Sequence, residues 1–199
     1  MKGYFKSLRY FVSAKASRSI FTGLLLLLMA AGGIRGQSNL LPPIRNASNN
    51  GYFEEVVSTA SSAILNARKS GAHAIASDAG VIQAHSLMRL ERYEEAAKVL
   101  DEALADADRA KHPRSLAAVY LAKASLSRLL RDFQSAMKFA RGAMAAAPDT
   151  QTKLEYHLAI GRIMYSSGFD IAAIVWLERA ERLSANLPVS SAHLDVLGH

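Results

Sequence analysis

The chain has 199 residues, of which 50% are hydrophobic and none is cysteine. This length and apolar content allow a packed core and exclude disorder throughout, while the lack of cysteine excludes disulfides, thiolate metal sites and a thiol nucleophile. The formal charge of +7 is concentrated at the front: residues 1–36 hold 6 of the 24 basic residues and no acid, leaving 18 basic against 17 acidic residues. We therefore expect no nucleic-acid partner.

Residues 1–36 predict a signal peptide or signal anchor. Basic residues up to Arg18 precede an apolar run, residues 20–34, that has small residues near its end, which is the order of a secretory signal. This run is shorter than the roughly 20 residues that a membrane-spanning helix needs, which favours cleavage. If it is retained, residues 19–34 anchor the chain in the inner or plasma membrane. Either way we expect an exported, extracytoplasmic protein, periplasmic or secreted, that meets the membrane only through this segment.

Residues 37–50 predict an extended linker. This stretch is rich in Ser and Asn and contains the pair Pro42-Pro43. Prolines remove backbone donors and break helix interiors, so we expect no helix here.

The region from residue 51 to the end is rich in helix-forming residues, with Gly or Pro at intervals that mark turns. We predict helices at about residues 53–70, 74–90, 93–110, 114–130, 133–146, 151–166 and 170–186, with another beginning near 190. Turns this short force neighbouring helices to run antiparallel. Small and large apolar residues recur at helical spacing, which predicts one buried stripe per helix.

A spaced self-similarity runs through this helical region. Small residues stand twelve positions before an alanine in three places, at Ala84 and Ala96, Ala124 and Ala136, and Gly161 and Ala173. Counting a further 37 residues from Gly161 reaches Gly198, so we expect another repeat that is truncated inside its first helix. Stacked repeats of this kind bury a continuous core that no single copy can form.

These positions resemble the tetratricopeptide repeat (TPR), a helix-turn-helix unit with a small residue in its first helix, an aromatic at the turn and alanines in its second helix. The resemblance covers residues 51–199 and implies an all-α fold, an α-solenoid of antiparallel helix pairs with about three full repeats and partial ones at each end. A half copy beginning near Gly51 lacks its first helix because of the two prolines. The copies recur at 40, 40 and 37 residues, longer than the family's 34 or so.

The resemblance also implies a binding groove lined by the first helix of each pair, filled by a protein or peptide partner. The family's carboxylate-clamping set is not matched, because Val81 and His85 occupy two of its places. Arginines in the groove can still pair with acidic side chains of a partner, or they form only a solvated helix face. By helical spacing, the candidate groove residues are His85, Met88, Arg89, Leu121, Ser125, Arg128, Leu158, Arg162 and Tyr165.

Nothing in the sequence predicts catalysis. The six histidines show no metal-ligand spacing, and phosphate loops and nucleophile motifs are absent. Acidic pairs, among them Asp106 with Asp108, are expected on polar helix faces or at helix starts. His157 is expected to fill the core, and Trp176 is expected to pack against the next, truncated repeat. We expect no catalytic residue, no cofactor and no metal, and the chain is predicted not to be an enzyme.

Three functions are compatible with these observations. The first is an exported scaffold that binds a protein partner through a groove or outer face. The second is a sensory or docking front of a larger protein whose kinase, protease or hydrolase domain lies beyond residue 199. The third is an inner-membrane assembly factor, which requires the apolar run of residues 19–34 to be retained.

Overall fold

A computed structural model describes residues 41–185, and in this part of the chain all regular structure is α-helical. The predicted all-α fold is confirmed, and the seven predicted helices are found within two residues of their expected bounds. Residues 1–36, residues 37–40 of the predicted linker and the truncated repeat near residue 190 lie outside the described residues. The helices are α1 (Leu41–Asn49), α2 (Phe53–Lys69), α3 (His73–Arg89), α4 (Tyr93–Ala110), α5 (Pro113–Leu129), α6 (Phe133–Ala146), α7 (Thr150–Ser166) and α8 (Asp170–Ser184).

The helices form a stack of pairs. The packing is most extensive within the pairs α3–α4, α5–α6 and α7–α8 and between α2 and α3. The first helices also contact each other in sequence, α1 with α3, α3 with α5 and α5 with α7, whereas the second helices contact each other less. The first helices therefore line one side of the stack. Among α1 to α8, none is long and apolar enough to span a bilayer.

Six of the seven turns between these helices share one backbone geometry. Each contains a residue with positive φ, and the first five of these residues follow one another at intervals of 20. The next amide donates to a helix carbonyl five residues earlier, as in Arg92 N to Leu87 O at 2.9 Å. This is the Schellman motif, which satisfies carbonyls that a helix end otherwise leaves free. The six residues are Gly51, Gly71, Glu91, Lys111, Arg131 and Gly168.

The turn after α6 is the exception. Ala147 is extended, with φ −63° and ψ 119°, because the proline that follows disfavours helical backbone at the residue before it. Asp149 then caps α7 by accepting from the Thr152 amide at 2.7 Å. Helix α6 has 14 residues against 18 in α4, which accounts for the shorter spacing of the last copy.

The predicted extended linker is wrong for Leu41–Asn49, which forms the nine-residue helix α1. Pro42 and Pro43 lie in its first turn, where backbone N–H groups have no acceptor within the helix, so proline costs nothing there. Ile44 anchors the helix and is 2% exposed. The half copy therefore has a shortened first helix, contrary to expectation.

The small residues that define the repeat are all buried. Ala84, Ala96, Ala124 and Ala136 have no exposed surface, as their assignment to core packing predicts. Gly161 marks a close approach, because a Cβ there would lie 2.7 Å from Leu177 Cδ2. Small side chains thus let the helix axes come close together.

We expect Gly71→Ala to lower the free energy of unfolding by about 1 kcal/mol. A Cβ at this position meets nothing within 4 Å, and φ is +73°, so the cost is conformational and not steric. The converse change, Lys111→Gly at φ 48°, should stabilise by up to about 1 kcal/mol. Urea denaturation of both variants measures this, and the same sign of change in both would contradict the turn geometry.

Ala136→Leu should destabilise the protein by about 1–3 kcal/mol, because extra methylene groups do not fit a well-packed core. The matched control is Gln134→Leu on the exposed side of the same helix, which should change stability by less than about 0.5 kcal/mol. Thermal unfolding followed by circular dichroism distinguishes them. If Ala136→Leu leaves the stability unchanged, the assigned repeat register is wrong.

Candidate functional site

An open cavity of about 430 Å³ lies where α3 and α5 pack side by side. Five of the nine predicted groove residues line it, together with side chains from the start of α2, the turn after α3, the start of α4 and the end of α5. The lining consists of Phe53, His85, Met88, Arg89, Glu91, Tyr93, Ser125, Arg128 and Leu129.

The two first helices contribute equivalent positions. His85, Met88 and Arg89 on α3 have the same spacing as a triplet on α5 that lies 40 residues later, Ser125, Arg128 and Leu129. Residues three and four apart share one helix face. The repeat therefore brings two matching faces together at this cavity.

The other four predicted groove residues do not line this cavity. Leu121 is half-buried and packs against the core between α5, α6 and α7. Leu158 is also half-buried, and Arg162 is exposed on α7. Tyr165 is 69% exposed. The predicted residues on α7 thus lie apart from the α3–α5 cavity. The sequence located only the part of the predicted groove that α3 and α5 line.

Arginine side chains in this region carry no carboxylate partner. Within residues 41–185, Arg89 and Arg128 form no ion pair, whereas Arg68 and Arg92 are each paired. Arg89 lies over the ring of Phe53, with its guanidinium carbon 5.7 Å from the ring centroid, a cation–π arrangement.

A second cavity of about 300 Å³ continues from the first. It shares Arg128 and Leu129 with its neighbour and adds Arg131 and Phe133 from the turn before α6 and the start of that helix. Arg131 is likewise outside the ion pairs formed by the described residues. Basic and aromatic surface therefore extends beyond a single repeat.

His85 is exposed at the cavity wall. Desolvation by the surrounding protein lowers the pKa of His85 below its usual 6.5, while contact with water moderates the effect. The titratable side chains that line the same cavity are Arg89, Arg128, Glu91 and Tyr93. The ring is therefore neutral at pH 7.

A buried carboxylate links α2, α3 and α4, and it was missed from the sequence. Asp106 was expected on a polar face, but it has no exposed surface. It accepts from Arg68 Nε at 2.7 Å, lies 3.0 Å from His73 Nδ1 and is 3.5 Å from a terminal nitrogen of Arg109. Local spacing does not show this cluster because Arg68 and Asp106 are 38 residues apart. Its role is to hold three helices together.

A second polar cluster contains serine, histidine and aspartate, the residue types of a hydrolytic triad. Ser115 Oγ donates to Asp78 Oδ1 at 2.7 Å and lies 2.8 Å from His112 Nδ1. Ser115 is 1% exposed, so its hydroxyl is out of reach of a substrate. His112 instead caps α5 by accepting from the Ser115 amide. Residues 41–185 also contain no group of three or more histidine, aspartate or glutamate side chains placed to hold a metal.

Helix α8 presents an apolar face to solvent. Ile171 and Ile174 are 82% and 55% exposed. Leu177 is 39% exposed, whereas the equivalent residues of the two preceding pairs, Leu100 and Ala140, are fully buried. In those pairs the next first helix covers this position. His157 is buried, as expected, and the ring of Trp176 packs against it with ring centroids 5.3 Å apart. The expected contact of Trp176 with the next repeat falls on residues outside the described part of the chain.

We expect Asp106→Asn to lower the free energy of unfolding by about 1–3 kcal/mol, because it leaves Arg68 and His73 without their buried anion while both keep partial contact with water. Asp108→Asn, an exposed position on the same helix, should change stability by less than about 0.5 kcal/mol. Chemical denaturation of the two variants tests this. Equal effects would show that the buried cluster adds nothing to stability.

The lowered pKa of His85 predicts a pH-dependent stability. As the pH falls below 6.5, the unfolded chain gains a proton on this residue more readily than the folded chain, so the free energy of unfolding decreases. His85→Gln should remove this contribution and leave a flatter profile between about pH 7 and pH 5. Denaturation at a series of pH values measures the difference. Parallel profiles would mean that folding does not perturb the histidine.

The comparisons with known proteins give one structural neighbour. No family model matches the chain, and no curated protein matches it. The fold is similar to the crystal structure of BtubC (BKLC) from P. vanneervenii, with a TM-score of 0.63 and 16% sequence identity over 89% of this chain and 78% of that chain. At this identity the similarity establishes the helical fold alone.

Proposed function

We propose that this chain is an exported scaffold of tetratricopeptide type that binds a protein or peptide partner in the groove of its first helices. The observation that carries the proposal is the α3–α5 cavity, where equivalent faces of two repeats combine apolar side chains with arginines that lack carboxylate partners. Such a surface suits recognition of a partner's side chains.

The packing around the cavity supports binding over catalysis. Ala84, Leu87 and Leu100 pack together in the core between α3 and α4. The groove is therefore preformed, and little ordering is needed when a partner binds. The two clusters that resemble reactive sites, around Asp106 and Ser115, are used for helix packing and capping. We infer that the chain is not an enzyme.

Export is supported by the sequence of residues 1–36, with its basic start and apolar run. The proposed location is extracytoplasmic, periplasmic or secreted. If the apolar run is retained, residues 19–34 anchor the chain in the membrane. A protein partner in that compartment is then the expected ligand.

The alternative function is a docking front of a larger protein with an enzymatic domain. The exposed apolar face of α8 supports it, since Ile174 and Leu177 occupy the side that a following helix covers in the earlier pairs. A further element packed there would continue the stack.

A bulky side chain that fills the groove tests the principal proposal. Ser125→Trp places an indole inside the cavity, whereas Lys138→Trp puts the same side chain on the exposed side of α6. A partner that is crosslinked to the wild-type chain in extracts should be recovered at least about tenfold less with the first variant and equally with the second. Equal recovery with Ser125→Trp, or loss with Lys138→Trp, would contradict binding in the groove.

A further inference from the structure

We propose that a second copy of this chain docks on the outer face of α8, with the two α8 helices antiparallel. The outer face is the surface around Ile171 and Val175, which are one helical turn apart and are 82% and 40% exposed. It contains none of the residues that line the α3–α5 cavity, so this inference goes beyond the proposed function.

The first support is a comparison of α8 with the second helices that precede it. Ile171 and Val175 lie two residues before and two residues after Ala173, the position that aligns the repeats. Among the four second helices of the described residues, α8 alone is apolar at both positions. The equivalent residues of α2, α4 and α6 are all polar and all exposed: Glu54 and Ser58, Glu94 and Lys98, and Gln134 and Lys138.

Continuation of the stack does not account for these two side chains. In the earlier pairs the next first helix covers Leu100 and Ala140, which are equivalent to Leu177. The positions equivalent to Ile171 and Val175 stay exposed in the same pairs. A following helix would therefore cover Leu177 and leave Ile171 and Val175 in water. An apolar patch of this kind is typical of a surface that contacts another molecule.

The outer face includes both a protruding side chain and a space that can receive one. Ile171 is among the most exposed apolar residues of the described chain, and it borders an open cavity of about 750 Å³. In a two-fold pair each copy supplies the same side chain and the same cavity, so one surface serves both partners. The cavity is lined by Gly168, Phe169, Asp170, Ile171, Ala172, Val175, Trp176 and Arg179.

The charges on this cavity favour a second copy in an antiparallel arrangement. Asp170 and Arg179 both line it, and they are nine residues apart, which is about 13.5 Å along a helix. Val175 lies between them. If Val175 is near the two-fold axis, Asp170 of one copy meets the partner's Arg179, and the reverse pair forms at the other end. A parallel pair would instead bring like charges together.

Arg179 is already positioned for this contact. Its guanidinium carbon lies 5.2 Å from the centroid of the Trp176 ring, a cation–π arrangement. This contact restricts the arginine before a second copy arrives, which reduces the entropy lost on association.

Cysteine crosslinking in the full chain tests the contact, since the chain has no cysteine of its own. Val175→Cys should form a disulfide-linked dimer under mild oxidation, because a residue near the two-fold axis meets its own copy within the Cα separation of about 4.4–6.8 Å that a disulfide requires. The matched controls are Lys98→Cys and Lys138→Cys, the exposed equivalents on α4 and α6. Both should remain monomeric on a non-reducing gel.

Mixed variants determine the orientation. Asp170→Cys and Arg179→Cys should each stay monomeric alone and should form a dimer when the two variants are mixed, because the antiparallel pair brings one position against the other. A parallel pair would give the reverse result, with each variant linked to itself and no mixed dimer. That reverse result would contradict the antiparallel arrangement.

A double variant tests the apolar patch. Ile171→Glu with Val175→Lys copies the residues that α4 carries at these positions. Glutamate and lysine four residues apart are favourable on an exposed helix, so the fold should be retained, as thermal unfolding can verify. When two differently tagged full chains are produced together, the double variant should recover its second copy at least about tenfold less than the wild type does. Gln134→Glu, at the equivalent position of α6, should leave recovery unchanged.

Three outcomes overturn the inference. The first is that Val175→Cys gives no more dimer than Lys98→Cys and Lys138→Cys. The second is that the folded double variant recovers its second copy as well as the wild type does. The third is a disulfide from Val175→Cys to a different protein, which would mean that another partner covers this face.

Discussion

The repeated left-handed turn is the constraint on which the rest of the stack depends. Helices α1 to α5 and α7 each end in a turn that contains a residue of positive φ, followed by an amide that bonds back five residues. The motif ends the helix and satisfies its last carbonyls without side chains. One such turn occurs every 20 residues from Gly51 to Arg131, so equivalent residues of successive first helices in this range are 40 positions apart. Glycine is not required, since Glu91, Lys111 and Arg131 adopt this geometry at a conformational cost that the packed helices offset.

The regular spacing of these turns also explains where the candidate site lies. Helix α4 and two turns of the same geometry separate α3 from α5. Arg89 on α3 and Arg128 on α5 line one cavity. The turn after α6 has a different geometry. Ala147 is extended because Pro148 follows it, and the helix ends early. The corresponding face of α7, with Arg162, does not line the α3–α5 cavity. The first cavity thus lies between two regularly spaced helices, and the second cavity continues from it to Ser166 and Ser167 at the end of α7.

Much of the fold was predictable because helix period, short turns and small residues are local signals. The burial of Ala84, Ala124 and Ala136 follows from them directly. Helix α1 was missed because prolines that break a helix interior are tolerated in its first turn. The burial of Asp106 was missed because its partners lie on other helices, and sequence spacing carries no information on which polar residue of a helix turns inward. For the site, spacing located the residues on α3 and α5 that line one cavity and showed the shorter last repeat, but it did not show that Leu158, Arg162 and Tyr165 on α7 lie apart from that cavity.

The measurement that tests the central claim most directly is a crystal structure of the full chain bound to the partner that is recovered by crosslinking. We predict Schellman turns at Gly71, Glu91 and Arg131 and a segment of the partner in the α3–α5 cavity, in contact with Met88 and Ser125. A peptide bound instead to the apolar face of α8, or to the exposed side of the second helices, would contradict the claim that two matching repeat faces create the binding site.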